Sequence, residues 1–148
     1  MPWLTDDSSL TQRLVERCGS DFRVELIVQR RARPMPGEAR GLGLGNGAHA
    51  LVREVYLCCG SERWVYARTV IPDATANGRY RRLRRMGEQP IGAFLFAQPR
   101  LVRGPLEIAE ASPGGPAAGS WGRRSVFRLD GRPLLVTEYF LPAFMRTL

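Results

Sequence analysis

The sequence predicts a single α+β domain, residues 1–148, in which five or six mainly antiparallel strands form one sheet with short helices inserted between them. Three observations support this class. Segments with alternating apolar residues recur along the chain, as in half-buried strands. Two pairs of these segments are joined by short turns that contain glycine, which is typical of hairpins. With 148 residues, 44% of them hydrophobic, the chain has the size of one domain with its own core.

A short amphipathic helix is predicted at the start of the chain. Ser8 and Ser9 place capping hydroxyls before it, and Gly19 ends it. Its apolar side would consist of Leu10, Leu14 and Val15. Residues 22–29 then alternate as the first strand. The glycine-rich stretch 41–47 is interpreted as a flexible loop, because no helical pattern follows it.

Two hairpins are predicted further along the chain. Residues 48–58 and 63–71 flank a short turn that contains Gly60. The last two strands are joined at Asp130-Gly131, a dipeptide that favours a tight turn. Between the hairpins, Pro90 introduces a second short helix or turn.

Three charged residues stand out because they lie within otherwise apolar strands: Arg53, Arg68 and Glu138. An ionised side chain is expensive to bury unless it is paired. From the pattern alone, Arg53 and Arg68 are either solvent-facing strand residues or clamps for a ligand. Glu138 shares a face with apolar residues, so we expect it to have a partner, either an arginine or a ligand hydroxyl.

The cysteines are expected to be reduced, and the hydropathy pattern separately indicates a soluble, cytoplasmic protein. Cys18, Cys58 and Cys59 are an odd number with two adjacent members, which suits neither a disulfide framework nor a metal knuckle. We expect reduced thiols, with one of the adjacent pair in the core. No apolar run approaches the roughly 20 residues that cross a bilayer. The first residues also lack a basic region followed by an apolar one, as a signal peptide would have.

The basic residues exclude several classes of chemistry. All 22 cationic residues are arginine, and His49 is the single histidine. Schiff-base chemistry requires a lysine amine, and Walker-type phosphate loops normally require a lysine too. Arginine stays charged, and its planar fork binds carboxylates in a bidentate way. The composition therefore favours an anionic ligand, and we expect neither a cofactor nor a metal.

The formal net charge of +8 would also suit a nucleic-acid partner. The densest basic patch, residues 79–85, is interpreted as a solvated helix with Leu83 and Met86 turned inwards. Single-strand binders use stacking aromatics at regular positions, and this patch lacks them. We therefore expect no nucleic-acid partner.

Five segments, in this order and at similar spacing, resemble the bacterial chorismate lyases of ubiquinone biosynthesis. They read LVREVYLC, ARTVIP, PIGAFLF, WGRRSVFRL and GRPLLVTEYFLP. The resemblance covers most of the chain from the first helix to Pro142. It implies a six-stranded antiparallel sheet whose helical flaps close over an internal site, in agreement with the pattern above.

The resemblance also implies roles for individual residues. Arg53 matches the arginine that holds the ring carboxylate of substrate and product. Glu138 matches the glutamate that meets the ring oxygen at the opposite end, and Arg68 matches an arginine on the enolpyruvyl side. The backbone amides of Leu10 and Ile91 match those that complete the carboxylate cradle.

The implied activity is the conversion of chorismate into 4-hydroxybenzoate and pyruvate without a cofactor, the first step towards ubiquinone. An internal site that fits its product well releases it slowly, so we expect product inhibition. We also expect a monomer that does not span a membrane. The alternative is a non-catalytic sensor of small aromatic acids, because effector domains of some transcription regulators resemble the same fold.

Overall fold

The computed structural model describes residues 9–111 and 115–148. Within them, seven strands form one sheet in the order β1-β2-β3-β7-β6-β4, and β5 also pairs with β6. Every pairing is antiparallel. The strands are β1 (Phe22–Ala32), β2 (Ala50–Cys59), β3 (Glu62–Pro72), β4 (Leu101–Arg103), β5 (Glu107–Glu110), β6 (Trp121–Leu129) and β7 (Arg132–Phe140). This architecture confirms the predicted α+β class.

The helices are short, and most lie on one face of the sheet. They are α1 (Leu10–Cys18), α2 (Pro36–Leu42), α3 (Asp73–Ala76), a 3-10 helix (Gly78–Arg85), α4 (Ile91–Phe96) and α5 (Pro142–Met145), with a 3-10 turn at Gly19–Asp21. In the described part of the chain, none is long and apolar enough to cross a membrane.

The sheet has an inner and an outer face, which we define by their side chains. The inner face carries one row across four strands, Val55, Ala67, Glu138 and Arg123, because paired residues point to the same side. The outer face carries the alternating residues, among them Glu54, Arg68, Thr137 and Arg124.

Two hydrophobic clusters lie side by side on the inner face. In the first, Leu10 and Leu14 of α1 pack with apolar residues of β1, β2, β3 and α5. In the second, Leu83 and the α4 residues Ile91 and Leu95 pack against β6 and β7. The predicted first helix is confirmed, with Ser9 accepting a hydrogen bond from the amide of Gln12; Ser8 lies outside the described residues.

The predicted hairpins are present, but two elements differ from the expectation. After Leu101 the chain forms two short strands, β4 and β5, separated at Gly104-Pro105, so the described sheet has seven strands rather than the expected five or six. The unpredicted helix α2 begins in the basic, proline-rich turn and runs into the glycine-rich stretch, so residues 41 and 42, expected in a flexible loop, are helical. Pro36 occupies its first turn, and Gly43 ends it with a positive φ of 68°. In the proline- and glycine-rich loop 111–119, residues 112–114 lie outside the described part.

The expectation of three reduced cysteines is wrong. Cys18 and Cys59 form a disulfide with their Cα atoms 5.7 Å apart. Cys18 ends α1 and Cys59 ends β2, and the fold brings these two ends together across 41 residues of sequence. Cys58 is free and buried, as expected for one of the adjacent pair. Burial raises the pKa of its thiol.

The basic segment 79–85 turns its apolar side inwards, as predicted, although it forms a 3-10 helix. Leu83 and Met86 are buried. Tyr80 is buried as well, and its hydroxyl donates a hydrogen bond of 2.6 Å to Asp130. Its ring is therefore not presented to solvent as a stacking surface for bases.

Candidate active site

A small cavity lies between the inner face of the sheet and the helices α1 and α4. Its volume is about 30 Å³. Its floor is formed by strand residues that include Val55, Ala67 and Val136, and its roof by residues of α1 and α4. Of the residues predicted to form the site, Leu10, Ile91 and Glu138 line this cavity.

Arg53 lies beside the cavity in the next row of the inner face, paired with Thr69. It is only 1% exposed. Its terminal nitrogens donate to Gln29 Oε1 at 3.2 Å and to the carbonyl oxygen of Gln89 at 2.8 Å. Both acceptors are neutral, and burial lowers the pKa of the guanidinium.

The Nε of Arg53, in contrast to its two terminal nitrogens, has no hydrogen-bond partner on the described protein. This nitrogen is buried, and no acceptor among the described residues lies within hydrogen-bonding distance of it. A buried donor without a partner costs about 1–3 kcal/mol. Native structures keep few such groups, so Arg53 Nε is a candidate donor for a ligand oxygen.

Glu138 has the arginine partner that the apolar pattern demanded, and that partner is Arg123. Arg123 Nε donates to Glu138 Oε1 at 3.1 Å. Arg123 is 2% exposed and lines the cavity with Glu138. Sequence reasoning did not single out Arg123. The signal was nevertheless present, because the two-residue turn at Asp130-Gly131 sets a register in which these two residues pair.

Leu10 and Ile91 stand at the first positions of α1 and α4. The first N–H groups of a helix have no acceptor within that helix, so they are available to an anion. The two helix starts also lie close together. A Cβ atom on Gly92 would lie 2.7 Å from Thr11 Oγ1. The cradle expected from these backbone amides therefore depends on glycine at the seam between α1 and α4.

The structure does not bring Arg68 into the cavity. Its side chain lies on the outer face, where Nε donates to Glu38 Oε2 of α2 at 2.7 Å and Nη1 lies 3.5 Å from Glu54 Oε2. A bulge between Leu57 and Cys58 shifts the register of β2 and β3, so that Arg68 pairs with Glu54 rather than with Arg53. The expected position beside an enolpyruvyl group has no geometric support here.

Arg103 is a second cavity residue that sequence reasoning missed. It lines the cavity, and its guanidinium lies 5.7 Å from the ring centroid of Phe96 and 5.1 Å from that of Phe127. Phe96 belongs to α4 and Phe127 to β6, so Arg103 links the helix to the sheet through cation–π contacts. On the inner face the cavity is therefore surrounded by Arg53, Arg103 and Arg123.

The sequence matches one known protein family over almost its whole length. The family model described as "Chorismate lyase" matches residues 1–147. The chain belongs to the chorismate lyase family. The family resemblance seen in the five sequence segments is thereby confirmed, and the reaction class of the family is that of a lyase.

Curated relatives agree over nearly the whole chain. A protein of Methylococcus capsulatus named "Probable chorismate pyruvate-lyase" is 44% identical over 153 residues, which span 97% of this chain and 94% of that protein. A protein of Marinobacter nauticus with the same name is 42% identical over 140 residues, which span 95% of this chain and 74% of that protein.

Solved structures with the same fold include regulators. The effector domain of PhnF from Mycobacterium smegmatis superposes with a TM-score of 0.61 at 18% identity, over 88% of this chain and 87% of that one. A GntR-family transcriptional regulator from Bacillus cereus gives a TM-score of 0.58 at 14% identity, over 84% and 94% of the two chains. At such low identity the likeness concerns the fold alone.

Proposed function

We propose that this chorismate lyase family member converts chorismate into 4-hydroxybenzoate and pyruvate. The observation that carries the proposal is the buried, unsatisfied Nε of Arg53 beside the cavity under α1 and α4. A carboxylate oxygen placed there would accept the missing hydrogen bond and balance a guanidinium whose acceptors on the protein are neutral. The N–H groups of Leu10 and Ile91 would complete the cradle around that carboxylate.

Glu138 meets the other end of the ring in this proposal. Arg53 and Glu138 lie on the same face, two strands and one row apart, which separates their Cα atoms by roughly 12 Å. That span accommodates an aromatic ring with the guanidinium at one end and the carboxylate at the other. Glu138 would accept a hydrogen bond from the ring hydroxyl para to the carboxylate.

The reaction then needs little beyond a dry, oriented site. The ether C–O bond to the ring breaks, the ring loses a proton and becomes aromatic, and the departing enolpyruvate takes up a proton to become pyruvate. Aromatisation drives the elimination, so the residues mainly orient the substrate and stabilise developing charge. The product would serve quinone synthesis, and its tight enclosure would make release slow.

The test is turnover of chorismate by the wild-type chain and by an Arg53→Gln variant. The variant should lose at least about 30-fold in kcat/KM, because a buried hydrogen-bonded charge pair is broken. Arg30→Gln is the matched control, since Arg30 is an exposed arginine on the neighbouring strand β1. An unchanged catalytic efficiency in Arg53→Gln would refute the assignment of Arg53.

A further inference from the structure

The pair formed by Arg123 and Glu138 extends beyond the roles that the family resemblance implies. The two residues are direct cross-strand neighbours on β6 and β7. Arg123 is 2% exposed, whereas the Glu138 side chain is 16% exposed. The arginine is thus the more deeply buried partner, and both residues line the cavity.

The backbones of β6 and β7 lie very close together beside this pair. Gly122 precedes Arg123 and pairs with Tyr139, the residue after Glu138. A Cβ atom on Gly122 would overlap the carbonyl oxygen of Glu138 and lie 2.6 Å from Cδ1 of Tyr139. Glycine therefore permits the close approach of β6 to β7 that places Arg123 Nε on Glu138.

The hydrogen bond from Arg123 fixes the orientation of the Glu138 carboxylate. Arg123 engages Oε1 of Glu138, and no other hydrogen bond to this carboxylate occurs within residues 9–111 and 115–148. Oε2 accepts no hydrogen bond within those residues and can accept one from a ligand. A carboxylate with one oxygen fixed by a buried guanidinium loses rotational freedom, so its second oxygen is oriented before a ligand arrives.

We propose that Arg123 is a positioning residue that orients Glu138 and thereby makes the site select aromatic acids with a para hydroxyl group. The choice of ligand rests on the proposed function. A site built to hydrogen-bond a hydroxyl discriminates strongly against an analogue that lacks it, because the protein acceptor is then left unpaired. The pair would also favour chorismate, whose ring carries an oxygen at the same position.

The test compares the dissociation constants of 4-hydroxybenzoate and benzoate, measured by calorimetry. The wild-type chain should prefer 4-hydroxybenzoate by at least about tenfold, the value of a hydrogen bond to a charged group. Arg123→Gln should lower the ratio of the benzoate to the 4-hydroxybenzoate dissociation constant by about tenfold, while benzoate binding changes little. Arg123→Lys should keep part of the preference. In a Glu138→Gln background, Arg123→Gln should have no further effect on the preference.

Arg124→Gln is the matched control. Arg124 is the next residue on β6, points to the outer face and lies 3.4 Å from Glu107. Its replacement should leave the preference intact. Circular dichroism checks that each variant is folded, and Arg123→Lys serves if Arg123→Gln does not fold. An unchanged preference in both Arg123 variants, or equal weakening of the two ligands, would overturn the proposal.

Failure of the proposed function would look different. If the wild-type chain discriminates between the two acids through Arg123 but does not turn over chorismate, the positioning role stands and the lyase reaction is refuted. If it turns over chorismate while Arg123→Gln retains its preference for 4-hydroxybenzoate, the reaction stands and the positioning role is refuted.

Discussion

Gly92 of α4 and Thr11 of α1 approach each other so closely that a Cβ atom on Gly92 would lie 2.7 Å from Thr11 Oγ1. Real Cβ atoms essentially never make such a contact, so in Gly92→Ala either the Thr11 hydroxyl must rotate away or the two helices must move apart. Because Leu10 and Ile91 lie at the starts of these helices, their amides would move with them.

We therefore predict that Gly92→Ala weakens 4-hydroxybenzoate binding by about tenfold or more, since small displacements of binding groups are costly. Thr11→Ala combined with Gly92→Ala should recover part of the affinity, because the remaining contact, to Cβ of residue 11, is an ordinary 3.6 Å. Gly41→Ala in α2 is the control, since nothing lies within 4 Å of its added Cβ. Equal affinities of the wild-type and Gly92→Ala proteins for 4-hydroxybenzoate would contradict this role of Gly92.

Arg68 is predicted to stabilise the fold rather than to hold the ligand. Arg68→Met leaves the buried carboxylate of Glu38 without its cation, which should lower the free energy of unfolding by about 3 kcal/mol. Adding Glu38→Gln should recover part of that loss. Arg63→Met is the control: Arg63 pairs with Glu25 but its side chain is 55% exposed, so the expected loss is below about 1 kcal/mol.

Urea unfolding measures these losses, and 4-hydroxybenzoate calorimetry on the same variants separates the two roles. We expect Arg68→Met to bind the product as the wild type does, once it is folded. A stable Arg68→Met protein with much weaker affinity for 4-hydroxybenzoate would show that Arg68 contributes to ligand binding.

The Cys18–Cys59 disulfide determines how many thiols react with a thiol reagent. Native protein should react slowly with a thiol reagent, because Cys58 is buried and the pKa of its thiol is raised by burial. After denaturation without reductant, one thiol of the three cysteines should react, and all three should react after reduction. Closing a loop of this length stabilises the fold by about 4 kcal/mol, so Cys18→Ser should lower the Tm. Three reactive thiols before reduction would show that the bond is absent.

Asp130 should make stability depend on pH. Hydrogen bonding from Tyr80, together with Arg100 and Arg79, holds the pKa of its carboxyl below the usual 3.8. A carboxyl whose pKa is lowered by folding stabilises the folded state above its unfolded pKa, and the contribution is lost as the pH falls through the folded value. Asp130→Asn should therefore have a lower Tm than the wild type at pH 7.

The difference in Tm between wild type and Asp130→Asn should shrink as the pH falls below 3.8. Asparagine suits the test because it tolerates the positive φ of 51° at this hairpin position. Asp21→Asn is the control, since no pairing of the Asp21 side chain is found within the described residues. A Tm difference that stays constant from pH 7 to pH 3 would contradict the assignment.

The fold and much of the site could be predicted because they depend on local signals. Alternation gave the strands their faces, and Ser9 and Gly19 bounded the first helix correctly. Glu138 required a partner simply because a carboxylate lay on an apolar face. The Asp130-Gly131 turn even contained the identity of that partner, since Arg123 and Glu138 each stand six residues from Leu129 and Arg132, the pair that flanks the turn.

The position of Arg68 could not be predicted in the same way. A regular hairpin closed at Cys59 and Glu62 would pair Arg53 with Arg68 on one face. The bulge after Leu57 shifts the register by one residue, and a shift of one residue exchanges the two faces of a strand. Likewise, the meeting of Cys18 and Cys59 depends on how α1 packs against the sheet, which spacing does not reveal.

The proposed lyase reaction can be tested by incubating the purified wild-type chain with chorismate in buffer that contains a metal chelator. 4-Hydroxybenzoate is followed by its absorbance and pyruvate by a coupled assay on the same samples. We expect both products to appear in equal amounts and the rate to fall as 4-hydroxybenzoate accumulates. Tight binding of 4-hydroxybenzoate without any turnover of chorismate would contradict the proposed reaction.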